Sequence, residues 1–422
     1  MKKVVVWFLA ILLLFCGKEV SAKDTIYPLN KYKEEEYQFI LNSNQDNSFD
    51  GFIVAGTYIK KENQQVIIVK YKKDGSIAWE YSYGDEKKDE LYGLVYSYDE
   101  NNKINGYILV VKGEDPLFVF ISLEGEFQQE IPMNLGENIH IHQVKMTPEG
   151  YAVVGKQGDS AFLATYNSKG NQLFKKDYVK DNTSQELTEV ISLKENYYAI
   201  LKKQEGKKSS YQLLKINQTG NIEKIIKEDF EEKDVPHLLE EEDSYLVYGI
   251  TQEVKLSEKE AGSYYVCKYN KEDTLEWETV GDTPIQEDNT FQIQKNLLKE
   301  EENGYLLLLN NKSDNSIEVI RLDADGLIQE KVKKMKNDYY MIHEFTASEN
   351  IIYFVGQINC PENDNCDYDA KALFLISSED KVIEVKDTDS KTILIITGII
   401  VLGVIVLYGF RKKRQLGNKK KR

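Results

Sequence analysis

Histidine, tryptophan and cysteine are nearly missing from this chain, with four, three and four copies among 422 residues. Beyond Cys16 the only thiols are Cys267, Cys360 and Cys366, too few for a disulfide-stapled miniprotein, so stability must come from an apolar core. Glycine and proline are not enriched either, at 26 and 7 copies. No Gly-x-Ser-x-Gly elbow, Walker loop or His-Glu-x-x-His motif occurs, so no recognisable catalytic constellation stands out. Positive charge is short as well. Twelve of the 54 basic residues and one of the 70 acidic ones lie in the two ends, which leaves residues 23–390 with a formal net charge of −27. That sign argues against nucleic acid or anionic lipid as a partner and favours a soluble, charged surface. Carboxylates are so frequent that no pair can be singled out as an acid/base couple.

What is present begins with tyrosine, at 28 copies, a composition that suits strands. The ends carry a different signal. Met1-Lys2-Lys3, an apolar run to Phe15 and the small residues Ser21 and Ala22 follow the pattern of a secretory signal, predicting a leader over residues 1–22. Leu13-Leu14-Phe15-Cys16 faintly resembles a lipid-attachment box, a competing reading in which Phe15 stands where a small residue is expected. At the other end, residues 393–410 are almost wholly apolar and are followed by Arg411-Lys412-Lys413-Arg414. This predicts one transmembrane helix over residues 391–410 and a basic cytoplasmic tail over 411–422. The body, residues 23–390, is then expected outside the cell membrane.

Within that body a unit of about 45 to 54 residues recurs seven times between residues 37 and 386. Each unit holds an apolar strand that begins at a turn, such as Gly51-Phe52-Ile53-Val54, Gly106-Tyr107-Ile108-Leu109 or Gly304-Tyr305-Leu306-Leu307. A second apolar strand follows, such as Val66 to Tyr71, and ends in a tight turn. Asp74-Gly75, Glu124-Gly125, Lys169-Gly170, Thr219-Gly220, Glu272-Asp273, Asp325-Gly326 and Glu379-Asp380 supply the positive φ that a two-residue hairpin requires. A more polar strand comes next, as an outermost strand should. Four short strands per unit at this period predict an all-β, seven-bladed β-propeller.

Gly51 to Gly56, Val66 to Tyr71, Asp74-Gly75 and Trp79 together resemble the blades of bacterial secreted or membrane-anchored propellers of the quinoprotein-like or WD40-like type. The resemblance covers nearly all of the body and implies fold only. Quinoprotein dehydrogenases dock a tryptophan in almost every blade, whereas only Trp79 and Trp277 stand at the corresponding places, so a quinone cofactor is not implied.

Three histidines fall at similar points of their repeats: His142, His237 and His343, each near the start of the strand expected to line the channel. They are candidates for a polar binding mouth. His140 and the His-x-His spacing raise zinc, but blades three, five and seven are not adjacent and a zinc–nitrogen bond of about 2 Å cannot cross a channel. A structural hydrogen-bonding role is the alternative. Cys360 and Cys366 are close enough for a disulfide across a loop. Asp364, Asp367 and Asp369 between and beside them offer the oxygen ligands calcium prefers, without the EF-hand order, and a solvated acidic loop is the alternative. No other cofactor is expected, and Cys267 is expected to be a buried core thiol. The expected function is a non-enzymatic binding or scaffold module, single-pass and cell-surface, for a protein, glycan or wall component. The alternative is an extracellular hydrolase or lyase with its site at the channel mouth.

Overall fold

The structure, a computed structural model, describes residues 33–45, 48–60, 63–74, 76–84, 89–101, 103–112, 115–179, 183–230, 235–256, 259–283, 297–299, 304–311, 316–335, 339–348, 351–359 and 373–375. By its contacts the chain divides into Met1–Ile376 and Ser377–Arg422, and every described residue belongs to the first unit. The leader, the apolar run at 391–410 and the basic tail lie outside the described residues. Among those described, no helix is long and apolar enough to cross a membrane.

The described body is all-β and built as a propeller, with a correction to the blade count. Among the described residues six four-stranded blades are formed, not seven; the last unit contributes a three-stranded sheet, Tyr339–Ser348, Ile351–Asn359 and Leu373–Leu375. We call it the closing sheet. Every sheet is made of strands consecutive in sequence and antiparallel throughout. A repeat is recognised in sequence by its inner, apolar strands, which the last unit does possess, so the count of units exceeds the count of four-stranded blades among the described residues. Blade 1 runs Lys33–Gln45, Ser48–Lys60, Asn63–Lys72 and Ile77–Tyr83 from the axis outward. The inner strands of blades 2 to 6 are Glu90–Tyr98, Ile139–Thr147, Ser184–Leu193, His237–Glu240 and Leu297–Lys299.

Because successive side chains of a strand point to opposite faces, one strand serves two seams. In the second strand of blade 1, Phe52 and Val54 pack toward Tyr353 and Val355 of the closing sheet, while Ile53 and Ala55 pack toward Leu94 and Leu109 of blade 2. No blade buries both faces alone, so the ring is the smallest cooperative unit. The tyrosine excess has a place here. Phe52, Tyr107, Tyr151, Tyr197, Tyr245 and Tyr305 hold the same position at the start of the second strand, and each is nearly inaccessible.

The turns between third and outer strands carry the expected positive φ, at Gly125, Gly170, Gly220, Asp273 and Gly326, but they are longer than two residues. In blade 3, Gly170 N donates to Asn167 O at 2.9 Å, and Asn167 Oδ1 accepts from the amides of Lys169 and Asn171. Asn217, Asn270 and Asp323 act in the same way. These are i to i+3 turns followed by one left-handed residue, stabilised by an Asx side chain.

Each such turn sits under the outer strand of the preceding blade. Trp79 Nε1 donates to Leu123 O at 2.9 Å, and a Cβ on Gly125 would lie 2.5 Å from the Trp79 ring. Trp277 repeats this with Ala324 O and Gly326, and Phe174 lies over Gly220. Between blades 4 and 5 the device changes. Asp273 replaces the glycine at φ 61°, and its nearly inaccessible carboxylate meets Lys224 at 3.1 Å and Lys215 at 3.5 Å.

The ring closes without strand exchange among the described residues. Glu344 of the closing sheet accepts from Ile40 N at 3.0 Å, Asn42 Nδ2 donates to Ala347 O at 3.1 Å, and Thr346 Oγ1 donates to Asn42 Oδ1 at 2.9 Å. The rings of Phe49 and Phe52 lie tilted against that of Tyr353, at 5.5 and 4.8 Å.

Candidate functional site

An inner strand has a neighbour on one side only, so its other edge presents backbone amides toward the axis. A β-bulge interrupts most of these strands: the extra residue is Gln38, Tyr92, His142, Thr188 and His343 in turn. The residue after the bulge decides how the edge is capped. Gln143 Oε1 accepts from Val190 N of the next blade at 2.7 Å, Glu189 Oε2 accepts from Leu238 N at 2.8 Å, and Glu344 Oε2 accepts from Ile40 N. One side chain thus latches each of these blades to its successor.

The predicted histidines separate under this register. His142 and His343 are both bulge residues, but His237 stands one position later, paired with Tyr248 where Gln143 is paired with Val154. The side chain of His343 lies outside the described residues. His142 Nε2 meets Glu186 Oε2 at 3.0 Å, and His237 Nδ1 makes a short hydrogen bond to Glu189 Oε1. Both carboxylates belong to the inner strand of blade 4, so the two imidazoles are bound into the seams on either side of it. They are not brought together. His140 keeps part of its surface in solvent, its ring 4.6 Å from that of His142; partial desolvation first, and then the neighbouring His142 and Lys156, hold its pKa below the ordinary value. No cluster of three or more His, Cys, Asp or Glu able to hold a metal occurs among the described residues. Cys360, Cys366, Asp364, Asp367 and Asp369 lie outside them. Cys267 is buried and 3.4 Å from Glu278, and burial pushes its thiol up to about 12, so it is a core group without nucleophilic character at neutral pH.

Glu186 is a strongly perturbed carboxylate. His142 first, and Lys202 at 2.7 Å, hold its pKa far below the ordinary 4.5 against the opposing effect of burial. A depressed folded pKa stabilises the fold above the unfolded value and loses that contribution as the pH falls through it. Urea midpoints should therefore fall as the pH is lowered from about 5 to about 3, and Glu186→Gln should flatten that part of the profile. An unchanged slope in the variant would remove Glu186 as its source.

A cavity of about 650 Å³ occupies the channel. It is lined from blade 1 by Phe39 and Leu41, from blade 2 by Tyr92 to Tyr96 and Tyr98, and from blade 3 by Gln143 to Pro148, Gly150 and Tyr151. Leu239, Glu240 and Glu344 complete the far wall. It reaches toward the ends of the inner strands, with Tyr98, Thr147 and Ser168 at its rim, whereas His140 and His142 lie nearer their starts. Tyr96 donates to Asn42 O at 2.6 Å, which fixes its ring edge-on to Tyr98. Burial raises the pKa of Glu240, with Lys145 acting in opposition. The lining is aromatic and amphipathic, with no cysteine or histidine in it, a composition suited to holding a ligand by area and a few hydrogen bonds. Sequence reasoning missed this wall, because Tyr96, Tyr98 and Lys145 follow the bulge and no residue type marks a bulge.

No protein family and no curated relative matches the chain. Among solved structures it is similar to the β-propeller domain of the trilobed protease from Pyrococcus furiosus, at 11% identity and a TM-score of 0.47 over 83% of this chain and 100% of that one. Prolyl oligopeptidase B from Galerina marginata gives 9% and 0.47 over 81% of this chain and 52% of that one. A prolyl endopeptidase gives 10% and 0.47 over 77% and 46%. The chain spans about half the length of these two peptidases.

Proposed function

We propose that this protein is a non-enzymatic binding module whose ligand occupies the tyrosine-lined cavity of the propeller. The observation that carries the reading is the composition of that wall: aromatic rings, amides and hydroxyls, with the described histidine pairs committed to seams elsewhere. The module is held outside the cell by a span over residues 391–410, a reading supported by the apolar run and the basic residues Arg411 to Arg414. Its partner is an extracellular protein, glycan or wall component.

The test is an array of peptides and glycans probed with the full chain. Tyr98→Ala should weaken the bound ligand about tenfold, as loss of an aromatic anchor does, and His142→Ala should leave affinity unchanged. Turnover of a bound ligand that disappears in His142→Ala would overturn the reading in favour of a hydrolase or lyase.

A further inference from the structure

Four of the latch positions line the cavity, two of them without a latch. By register, the latch position is held by Phe39 in blade 1, Gly93 in blade 2, Gln143 in blade 3, Glu189 in blade 4 and Glu344 in the closing sheet. The last three cap an amide of the following sheet; phenylalanine and glycine have no acceptor atom in their side chains. The amides they would cap are those of Leu94 and Val144, the counterparts of Ile40, Val190 and Leu238. No side chain among the described residues bonds either amide. Phe39, Gly93, Leu94 and Val144 all line the cavity. Glycine at 93 is also a packing requirement, because a Cβ there would lie 3.3 Å from Val144. The second and third blades therefore approach closely, and the two uncapped amides belong to neighbouring residues of the cavity wall.

Resting on the cavity reading above, we infer that the ligand is an uncharged segment of extended peptide whose main-chain carbonyls take the place of the two missing latches. A carbonyl reproduces the amide oxygen that Gln143 supplies one seam away. An anionic acceptor is disfavoured by Glu240 and Glu344 in the wall and by the acidic body. Two donors on adjacent strand edges match the repeated acceptors of an extended main chain, as in strand addition, while Tyr96 and Tyr98 offer ring faces to its side chains.

The probe is a set of blocked tetrapeptides of alanine, leucine and tyrosine, N-acetylated and C-amidated, titrated calorimetrically into the full chain. Phe39→Gln installs the missing latch and should weaken binding at least about tenfold, while Phe39→Leu should stay within about twofold. Amide exchange on the unaltered chain should slow over residues 90–98 and 139–147 when peptide is added, which needs no variant to fold. Absence of saturable peptide binding, of protection in those segments, or of any difference between Phe39→Gln and Phe39→Leu would overturn the inference. Binding of an oligosaccharide in place of peptide, lost in Phe39→Gln, would overturn the peptide class and leave the cavity reading standing. Ligand binding indifferent to both Phe39→Gln and Tyr98→Ala would end both.

Discussion

Glu189→Ala should lower the unfolding free energy by about 3 kcal/mol, since it strands a buried imidazole and a buried amide together. Glu189 is nearly inaccessible, and its two oxygens serve His237 Nδ1 and Leu238 N across the seam between blades 4 and 5. Each partner is buried, so neither regains a water when the carboxylate is lost. Glu189→Gln keeps one acceptor oxygen and should cost less than half as much. Chemical unfolding of the full chain measures both; equal losses for the two substitutions would show that the charge, and not the capped amide, is what the seam needs.

The seam between blades 1 and 2 yields the second large effect. Gly125 has a φ of 84°, and a Cβ on it would enter the Trp79 ring at 2.5 Å. Gly125→Ala should therefore cost about 3 kcal/mol, part from the left-handed backbone and part from displacing the indole. Trp79→Ala alone removes a half-buried ring and its bond to Leu123 O, at about 2 kcal/mol. In the double variant the collision is gone, so the combined loss should fall short of the sum by about 1 kcal/mol or more. Strict additivity would mean that the indole does not rest on this glycine in solution.

Much of the fold could be read directly from the residues. Glycine-tyrosine starts, apolar third strands and left-handed turn residues recur because every blade solves the same burial problem, and each leaves a mark in residue type. The turn length is also written in the chain, as Asn167, Asn217, Asn270 and Asp323 three residues ahead of the left-handed position, although the glycine by itself is equally compatible with a two-residue loop. The number of complete blades was less legible, since the closing sheet shares the inner pattern and only three of its strands are among the described residues. The candidate site was hardly legible at all. Phe39, Gly93, Gln143, Glu189 and Glu344 have no chemistry in common; only strand pairing shows that they occupy one position. The histidines were legible in part, because His142 lies nine residues before Tyr151 and His237 eight before Tyr245, the same one-residue offset that strand pairing shows.

The bond from Glu344 to Ile40 joins residues 304 positions apart. A ribosome makes the first blade long before the sheet that will cover its Phe49 and Phe52 side exists. That greasy flank has no cover of its own until the last unit is made, so the contact that completes the molecule closes one of the longest loops in it.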